Sequence, residues 1–253
     1  GALMGMPAVP WLPPVDAARL VFLDTETSGL AGGSGTIAFL VGIGRVDGAT
    51  FRLRQYMLTA FRGEPAMLEE IAAQFENDAV VVSYNGKCFD VPLLETRYRL
   101  ARQPNPLAGL AHVDLLYPTR TAYGRRWPDC RLVTAEERLL GRFREQDIPG
   151  AQIPPAWAAF LRRGVTEDLP AILSHNAEDL RALVALLPAV ASAFAPPGVG
   201  DADALAIARS YCRAGRPDDA LRRLDAARVL LEADGLLELA RLRRKLSQPR
   251  LVA

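Results

Sequence analysis

Two acids one residue apart, Asp24 and Glu26, close an apolar run that starts at Leu20 and continues Val-Phe-Leu-Asp-Thr-Glu-Thr-Ser-Gly. Side chains alternate along a strand, so both carboxylates project from one face at its end. Carboxylates forced together repel, and burial adds a desolvation penalty, so a cation between them would make the arrangement stable. Hard oxygen donors suit magnesium or manganese. The same letters also read as a strand end entering a turn, since Asp, Thr, Ser and Gly all favour turns. A second cluster, Asn85-Gly86-Lys87-Cys88-Phe89-Asp90, ends another apolar run and enters a helical stretch. That puts Asp90 beside the carboxyl edge of a sheet, where open α/β sheets bind ligands; a helix-start acid is the plainer reading. The third cluster is Ser174-His175-Asn176-Ala177-Glu178-Asp179-Leu180. There Leu173, Leu180, Val184 and Leu187 form an apolar stripe, while Ser174, Glu178 and Arg181 face solvent. His175 and Asp179 stack at i and i+4 along the stripe's edge. Taken alone they are an ordinary surface His–Asp pair.

A fourth group offers binding rather than catalysis. Arg120-Thr121-Ala122-Tyr123-Gly124-Arg125-Arg126-Trp127 interleaves basic and aromatic side chains in what reads as a loop from Tyr117 to Arg131. Arg120, Arg125 and Arg126 can hold phosphates, and Tyr123 and Trp127 can stack unpaired bases. The alternative is a solvated basic loop with Trp127 tucked into the core. Arg142, Arg144, Arg162 and Arg163 are expected on solvated helix faces. Asp114, two residues after His112, is expected to bond nearby backbone, and Asn85 and Asn176 to hydrogen-bond loops around the site.

The elements that must position these residues follow from hydrophobic periodicity. Strands are expected from Leu20, over Thr36 to Val46, over Phe51 to Leu58 after an Asp47-Gly48 hairpin turn, over Ala79 to Tyr84, and over Ala111 to Leu116. Helices are expected over Glu64 to Phe75, with Pro65 tolerated in a first turn, from Asp90 to Arg99, and mostly from Leu132 onward. Gly29 to Gly35 is a glycine-rich loop that lets backbone approach a ligand, but no G-K-[ST] follows, so it is not a P-loop. An antiparallel hairpin followed by strands mixed with helices gives an α/β class with a mixed five-stranded sheet flanked by helices. The Pro-Pro-Gly break after Ala195 sets a boundary: an N-terminal arm over 1–18, the α/β domain over 19–195, and a small all-α C-terminal annex over 200–248.

Composition limits the rest. The 253 residues are half hydrophobic with a net charge of +1, enough for a full core and too balanced for any argument from overall basicity. Cys88, Cys130 and Cys212 form no C-x-x-C pair, no apolar run spans a bilayer, and the start lacks the pattern of a signal peptide. A reducing, cytoplasmic location is therefore expected, with no membrane partner.

In order, D-x-E-T at a strand end, N-x-x-x-F-D and [HY]-N-x-x-D resemble the DEDD superfamily of 3′–5′ exonucleases, which have an RNase H-like fold. More closely, the run from Arg19 to about Pro188 resembles the YprB-type RNase H-like domain, through His112 to Pro118, Pro128 to Leu132, Asp147-Ile148-Pro149-Gly150 and His175-Asn176-x-x-Asp179. The resemblance implies that Asp24, Glu26, Asp90 and Asp179 hold two Mg2+ or Mn2+ ions. Asp24 would bridge both, Glu26 and Asp179 would complete the first, and Asp90 would act on the second through water. His175 would be the general base, although it stands three residues before Asp179, the spacing of the superfamily's tyrosine branch. The implied substrate is single-stranded DNA, slightly ahead of RNA, with a free 3′ end, releasing nucleoside 5′-monophosphates. Thr25, Leu30 and Asn85 are expected to contact nucleic acid beside the acids. Two other functions share these residues: a structure-selective endoribonuclease, and a catalytically idle nucleic-acid-binding scaffold. Beyond Gly200, Ala208, Tyr211, Gly215, Ala220, Leu224 and Ala227 resemble one tetratricopeptide repeat, which cannot close a core alone. A structural cap or a protein-partner surface is expected there.

Overall fold

The computed structural model describes residues 6–29, 35–145, 147–198 and 201–247. Leu30 lies outside them, as does most of the glycine-rich loop. The chain divides into two compact units: Val15–Leu115 with Gly141–Ala185, and Leu116–Leu140 with the chain from Leu186 and the segment ahead of Val15.

The first unit is built on a five-stranded sheet in the order β3-β2-β1-β4-β5. Strand β1 (Leu20–Thr27) is central, and its first four side chains are fully buried, which is why they are apolar without alternation. It pairs antiparallel with β2 (Ala38–Asp47) and parallel with β4 (Val80–Ser83), which in turn pairs parallel with β5 (Ala111–Asp114). Edge strand β3 (Thr50–Met57) returns from β2 through a turn at Gly48, whose φ of +59° favours glycine. The parallel register of β1 on β4 stops at Phe22↔Val82. Asp24 and Glu26 therefore stand on the length of β1 that runs on beside β2, opposite Gly42 and Leu40.

Helix α1 (Glu64–Ala72) stops short of the expected Phe75, and α2 (Asp90–Ala101) opens on the acid of the second cluster. The two are tied by Tyr98, whose hydroxyl donates to the Leu68 carbonyl at 2.8 Å, and by a forked pair between Arg97 and Glu64. Helix α5 (Ile153–Arg163) takes its two prolines in its first turn, where no backbone donor is lost. Its Trp157 stacks on Phe39 at 4.5 Å and donates its indole N–H to the Leu58 carbonyl at 3.0 Å. Helix α6 (Leu169–Phe194) carries the third cluster. It comes close to the sheet because β2 has a glycine at position 42: a Cβ there would collide with Asn176 and Leu180 of α6.

In the second unit, the stretch expected as a loop from Tyr117 begins instead as helix α3 (Leu116–Tyr123). Leu116, Thr119, Ala122 and Tyr123 recur on one buried face, and that burial outweighs the turn-prone composition of the segment. Helix α4 (Leu132–Leu140) follows. Helices α7 (Ala204–Arg213), α8 (Pro217–Ala226) and α9 (Ala233–Ser247) bury Ile207, Ala208, Tyr211, Ala220, Leu224, Leu239 and Leu242. Asp203 caps α7 by accepting from the Ala206 N–H at 2.9 Å, and its own N–H donates to the Ala122 carbonyl at 2.7 Å. Among the described residues, no helix is long and apolar enough to cross a membrane.

Candidate metal centre

Three elements of the first unit bring five of the expected residues together. Strand β1 supplies Asp24 and Glu26, the first turn of α2 supplies Asp90, and α6 supplies His175 and Asp179. Asn176, completely buried on α6, donates its amide to the Asp24 carboxylate at 2.7 Å and more weakly to the Asp24 carbonyl at 3.3 Å. Its own oxygen accepts from Gln55 of β3 at 2.9 Å, and Gln55 also donates to the Leu173 carbonyl at 2.7 Å. These bonds fix α6 against the sheet and place the next turn of α6 beside Glu26. The His175 Nε2 lies 3.9 Å from Glu26 and 3.6 Å from Asp179. Glu26, His175 and Asp179 each offer a ligand atom within 4.8 Å of the others. The Thr25 hydroxyl donates to Asp90, joining β1 to α2. Glu178 turns away and pairs with Arg142 and Arg181.

Burial raises the proton affinity of all four carboxyls, and at Asp24 and Glu26 the neighbouring site acids add to it. Burial is the largest cause at Asp24, pushing it well above the usual range; the charges of Asp179, Glu26 and Asp90 add to it, and the Asn176 bond works against it. Burial also lifts Glu26 to about 7, tempered by His175 and reinforced by Asp179 and Asp90. Asp90 rises to about 6 through burial, against the Thr25 hydrogen bond. Asp179 is raised by burial although His175 and Arg144 pull it down. Burial alone would lower His175, but Asp179, Asp147 and Glu26 outweigh it and the net direction is upward. Four enclosed carboxyls with too little compensating charge are a donor set for hard divalent cations, and the single imidazole beside them is compatible with manganese as well as magnesium.

Two residues that shape this site were not assigned to it from the sequence. Asp147, part of the Asp147-Ile148-Pro149-Gly150 motif, accepts from the His175 Nδ1–H at 2.6 Å. Arg144, expected on a solvated helix face, lies in the irregular stretch after α4 and is only 9% exposed; it reaches Asp179 at 2.6 Å and Asp147 at 3.0 Å. Irregular backbone has no periodicity from which either direction could be read. Asn176 likewise binds a site acid itself rather than a neighbouring loop.

The remaining expected contacts divide. Asn85 takes a left-handed conformation at φ +67°, and its N–H donates to Asp114 at 2.7 Å while the Lys87 N–H donates to the other Asp114 oxygen at 3.0 Å. Asp114 thus shapes the loop that leads to Asp90. Arg120, Tyr123, Arg125, Arg126 and Trp127 belong to the other compact unit. The expectation that Tyr123 and Trp127 stack bases is corrected: both are buried, their rings stack on each other at 4.1 Å, and Arg138 lies over Trp127 at 5.6 Å. Trp127 lies in the turn that follows α3, and its N–H donates to the Tyr123 carbonyl at 2.9 Å, which brings its ring onto that of Tyr123. The three arginines are exposed, with Arg125 3.9 Å from Asp203.

A sequence profile described as the RNase_H superfamily matches residues 21–191, which takes in every element that carries a site acid. The chain belongs to the RNase_H superfamily. A protein of Bacillus subtilis (strain 168) named "Uncharacterized protein YprB" is 34% identical over 169 residues, covering 66% of this chain and 41% of that protein. The chain thus spans about two-fifths of the length of the curated relative that it matches. Among solved structures, the family B DNA polymerase of the hyperthermophilic archaeon Pyrobaculum calidifontis is similar with a TM-score of 0.52 and 17% identity, over 81% of this chain and 28% of the polymerase chain. At that identity the likeness speaks to the fold. Membership in the RNase_H superfamily supports nucleic-acid processing as the class of activity.

Proposed function

We propose that this chain is a metal-dependent 3′–5′ exonuclease that shortens single-stranded nucleic acid, DNA slightly ahead of RNA, and releases nucleoside 5′-monophosphates. One observation carries the reading: carboxyls from β1, α2 and α6 are enclosed together, and burial holds the pKa of each up, with neighbouring site acids adding to it at Asp24 and Glu26. Asp24, Glu26, Asp90 and Asp179 would hold two Mg2+ or Mn2+ ions. Bound there, divalent ions supply positive charge to the attacking and leaving oxygens of an in-line displacement at phosphorus. The protein's own part is to orient and move a proton. His175 presents Nε2 to the acids because Nδ1 is engaged by Asp147, so one tautomer is held and Nε2 accepts the proton of the attacking water. Asp147 then stabilises the imidazolium that results. Thr25 and Asn176 hold Asp90 and Asp24 in place. The exposed Arg120, Arg125 and Arg126 offer phosphate contacts.

The test is an end-labelled single strand incubated with Mn2+, with Asp24→Ala as control. A ladder of 5′-monophosphates released from the 3′ end supports the reading; binding with both ends intact overturns it. Arg144 favours a second reading, the idle scaffold, because its guanidinium already supplies one positive charge to Asp179. The same assay separates the two, and cleavage of a circular strand would indicate endonuclease action instead.

A further inference from the structure

We infer that Phe143 is the residue on which an unpaired base of the substrate strand stacks, with Arg142 and Arg181 contacting its phosphates. The inference rests on the single-strand reading above. Among the described residues Phe143 is the most exposed aromatic, at 73%. It lies in the non-helical stretch after α4, in the same compact unit as the metal centre. Its two neighbours both reach the turn of α6 that carries Asp179: Arg142 meets Glu178 at 3.1 Å, and Arg144 meets Asp179 at 2.6 Å. The backbone of Phe143 is thereby pinned from both sides, while its ring stands in solvent.

A single exposed phenylalanine is ordinary on a protein surface. This one differs in being anchored and in what lies beside it. Arg142 and Arg181 both lean on Glu178, yet their side chains stay 45% and 49% exposed, which leaves guanidinium surface open to a phosphodiester. A fixed ring among arginines suits the face of an unpaired base and the backbone that carries it. Inside a duplex both faces of each base are covered by neighbouring pairs, so such a platform takes single strands. Arg144 sets the distance. One residue from Phe143, it touches a candidate ligand acid, so the stacked base belongs to a nucleotide near the bond to be cut. Phe143 supplies there what the buried Tyr123 and Trp127 do not.

The experiment measures binding of a fluorescein-labelled oligothymidylate to the full chain in Mn2+ by anisotropy. The parent and every variant carry Asp24→Asn so that the strand stays whole. Phe143→Ala is expected to weaken binding by roughly 5- to 150-fold, the loss of one stacked base, with melting temperature and Mn2+ affinity unchanged. Phe143→Trp is expected to bind at least as tightly as the parent, and Phe143→Leu, apolar without a π-face, to fall with alanine. Arg181→Gln is expected to lower the slope of log affinity against log salt by about one. The inference is overturned if the alanine or leucine variant holds the strand as the parent does, or if a blunt duplex binds as tightly as the single strand. A lower melting temperature for Phe143→Ala marks a packing role and overturns it too. These outcomes leave the exonuclease reading standing, since release of 5′-monophosphates by protein with Asp24 intact tests that separately. If no monophosphate is released and Phe143→Ala still weakens binding, the exonuclease reading falls and the stacking residue remains.

Discussion

Glu64 and Glu26 are almost equally enclosed in the same compact unit, with side chains 15% and 13% exposed, yet their surroundings are opposite. Glu64 receives both arms of Arg97, at 2.6 and 2.5 Å, and Arg97 adds a longer bond to the Thr36 carbonyl at 3.4 Å. That pair is balanced, and it locks α1 to α2. Glu26 lies beside Asp179 and Asp90, and His175, with Nε2 at 3.9 Å, is the charge that opposes them. Depth of burial does not separate the two glutamates; charge balance does. A balanced buried pair holds the fold together. An unbalanced group costs stability until something cationic joins it, which marks it as a binding site.

The contrast is broken most directly at Asp24. Asp24→Asn keeps the shape and removes the central charge, so hydrolysis of a labelled strand should fall by about 10³-fold or more, the several kcal/mol that metal-held charge supplies. The same variant should melt at a higher temperature than the parent when both are metal-free, because one source of repulsion is gone. A lower melting temperature would show that Asp24 is a structural acid like Glu64.

The reverse experiment strikes the balanced pair. Arg97→Met leaves Glu64 buried without its partner and should cost about 3–5 kcal/mol in urea unfolding, with Mn2+ affinity unchanged. Replacing Glu64 as well, by Gln, should restore part of that loss. If Arg97→Met changes metal affinity instead of stability, the two regions are not separable.

The pH dependence of the metal-free protein sharpens the same point. Glu26 loses its proton near 4.5 when unfolded and near 7 when folded, so between those values folding takes up a proton. Stability is therefore fully present below 4.5 and declines as pH rises towards 7, by at most about 3 kcal/mol. The raised His175 works in the same direction. Saturating Mn2+ should reverse the slope, since ions replace protons; melting curves across pH, with and without Mn2+, read this out.

The smallest effect is expected at His112, whose Nε2 lies 2.8 Å from the Ser83 hydroxyl and whose pKa burial lowers to about 4. Unfolded, it takes a proton near 6.5; folded, it resists until about 4, so this contribution is lost as pH falls through that window. His112→Asn should flatten the acid side of the stability curve by about 1 kcal/mol once solvent screening is allowed for.

The sheet was legible because strands buried on both faces are written as unbroken apolar runs: Leu20 to Leu23 and Val80 to Val82 could hardly be anything else. Asp24, Glu26 and Asp90 stood out for a related reason, since each ends or begins an element where periodicity stops, whereas Asp179 stood out at the edge of the apolar stripe of α6. What could not be read were residues whose direction no regular element sets. Arg144 and Asp147 lie in irregular chain between α4 and α5, and only the folded backbone turns them towards α6. Between Tyr123 and Trp127 as base-stacking rings and Trp127 tucked into the core, a basic, aromatic composition could not choose; the fold buries both rings against each other.

The sequence by itself determined which acids close which elements, and hence that two strand-end acids, one helix-start acid and one mid-helix acid were available. Tertiary structure alone decided that they meet, and that Asn176 and Thr25 hold Asp24 and Asp90. Gly42 shows the physical reason: a missing side chain on β2 lets α6 approach until Asn176 reaches Asp24. Periodicity describes an element's own faces, but contact between elements depends on the space that all of them leave.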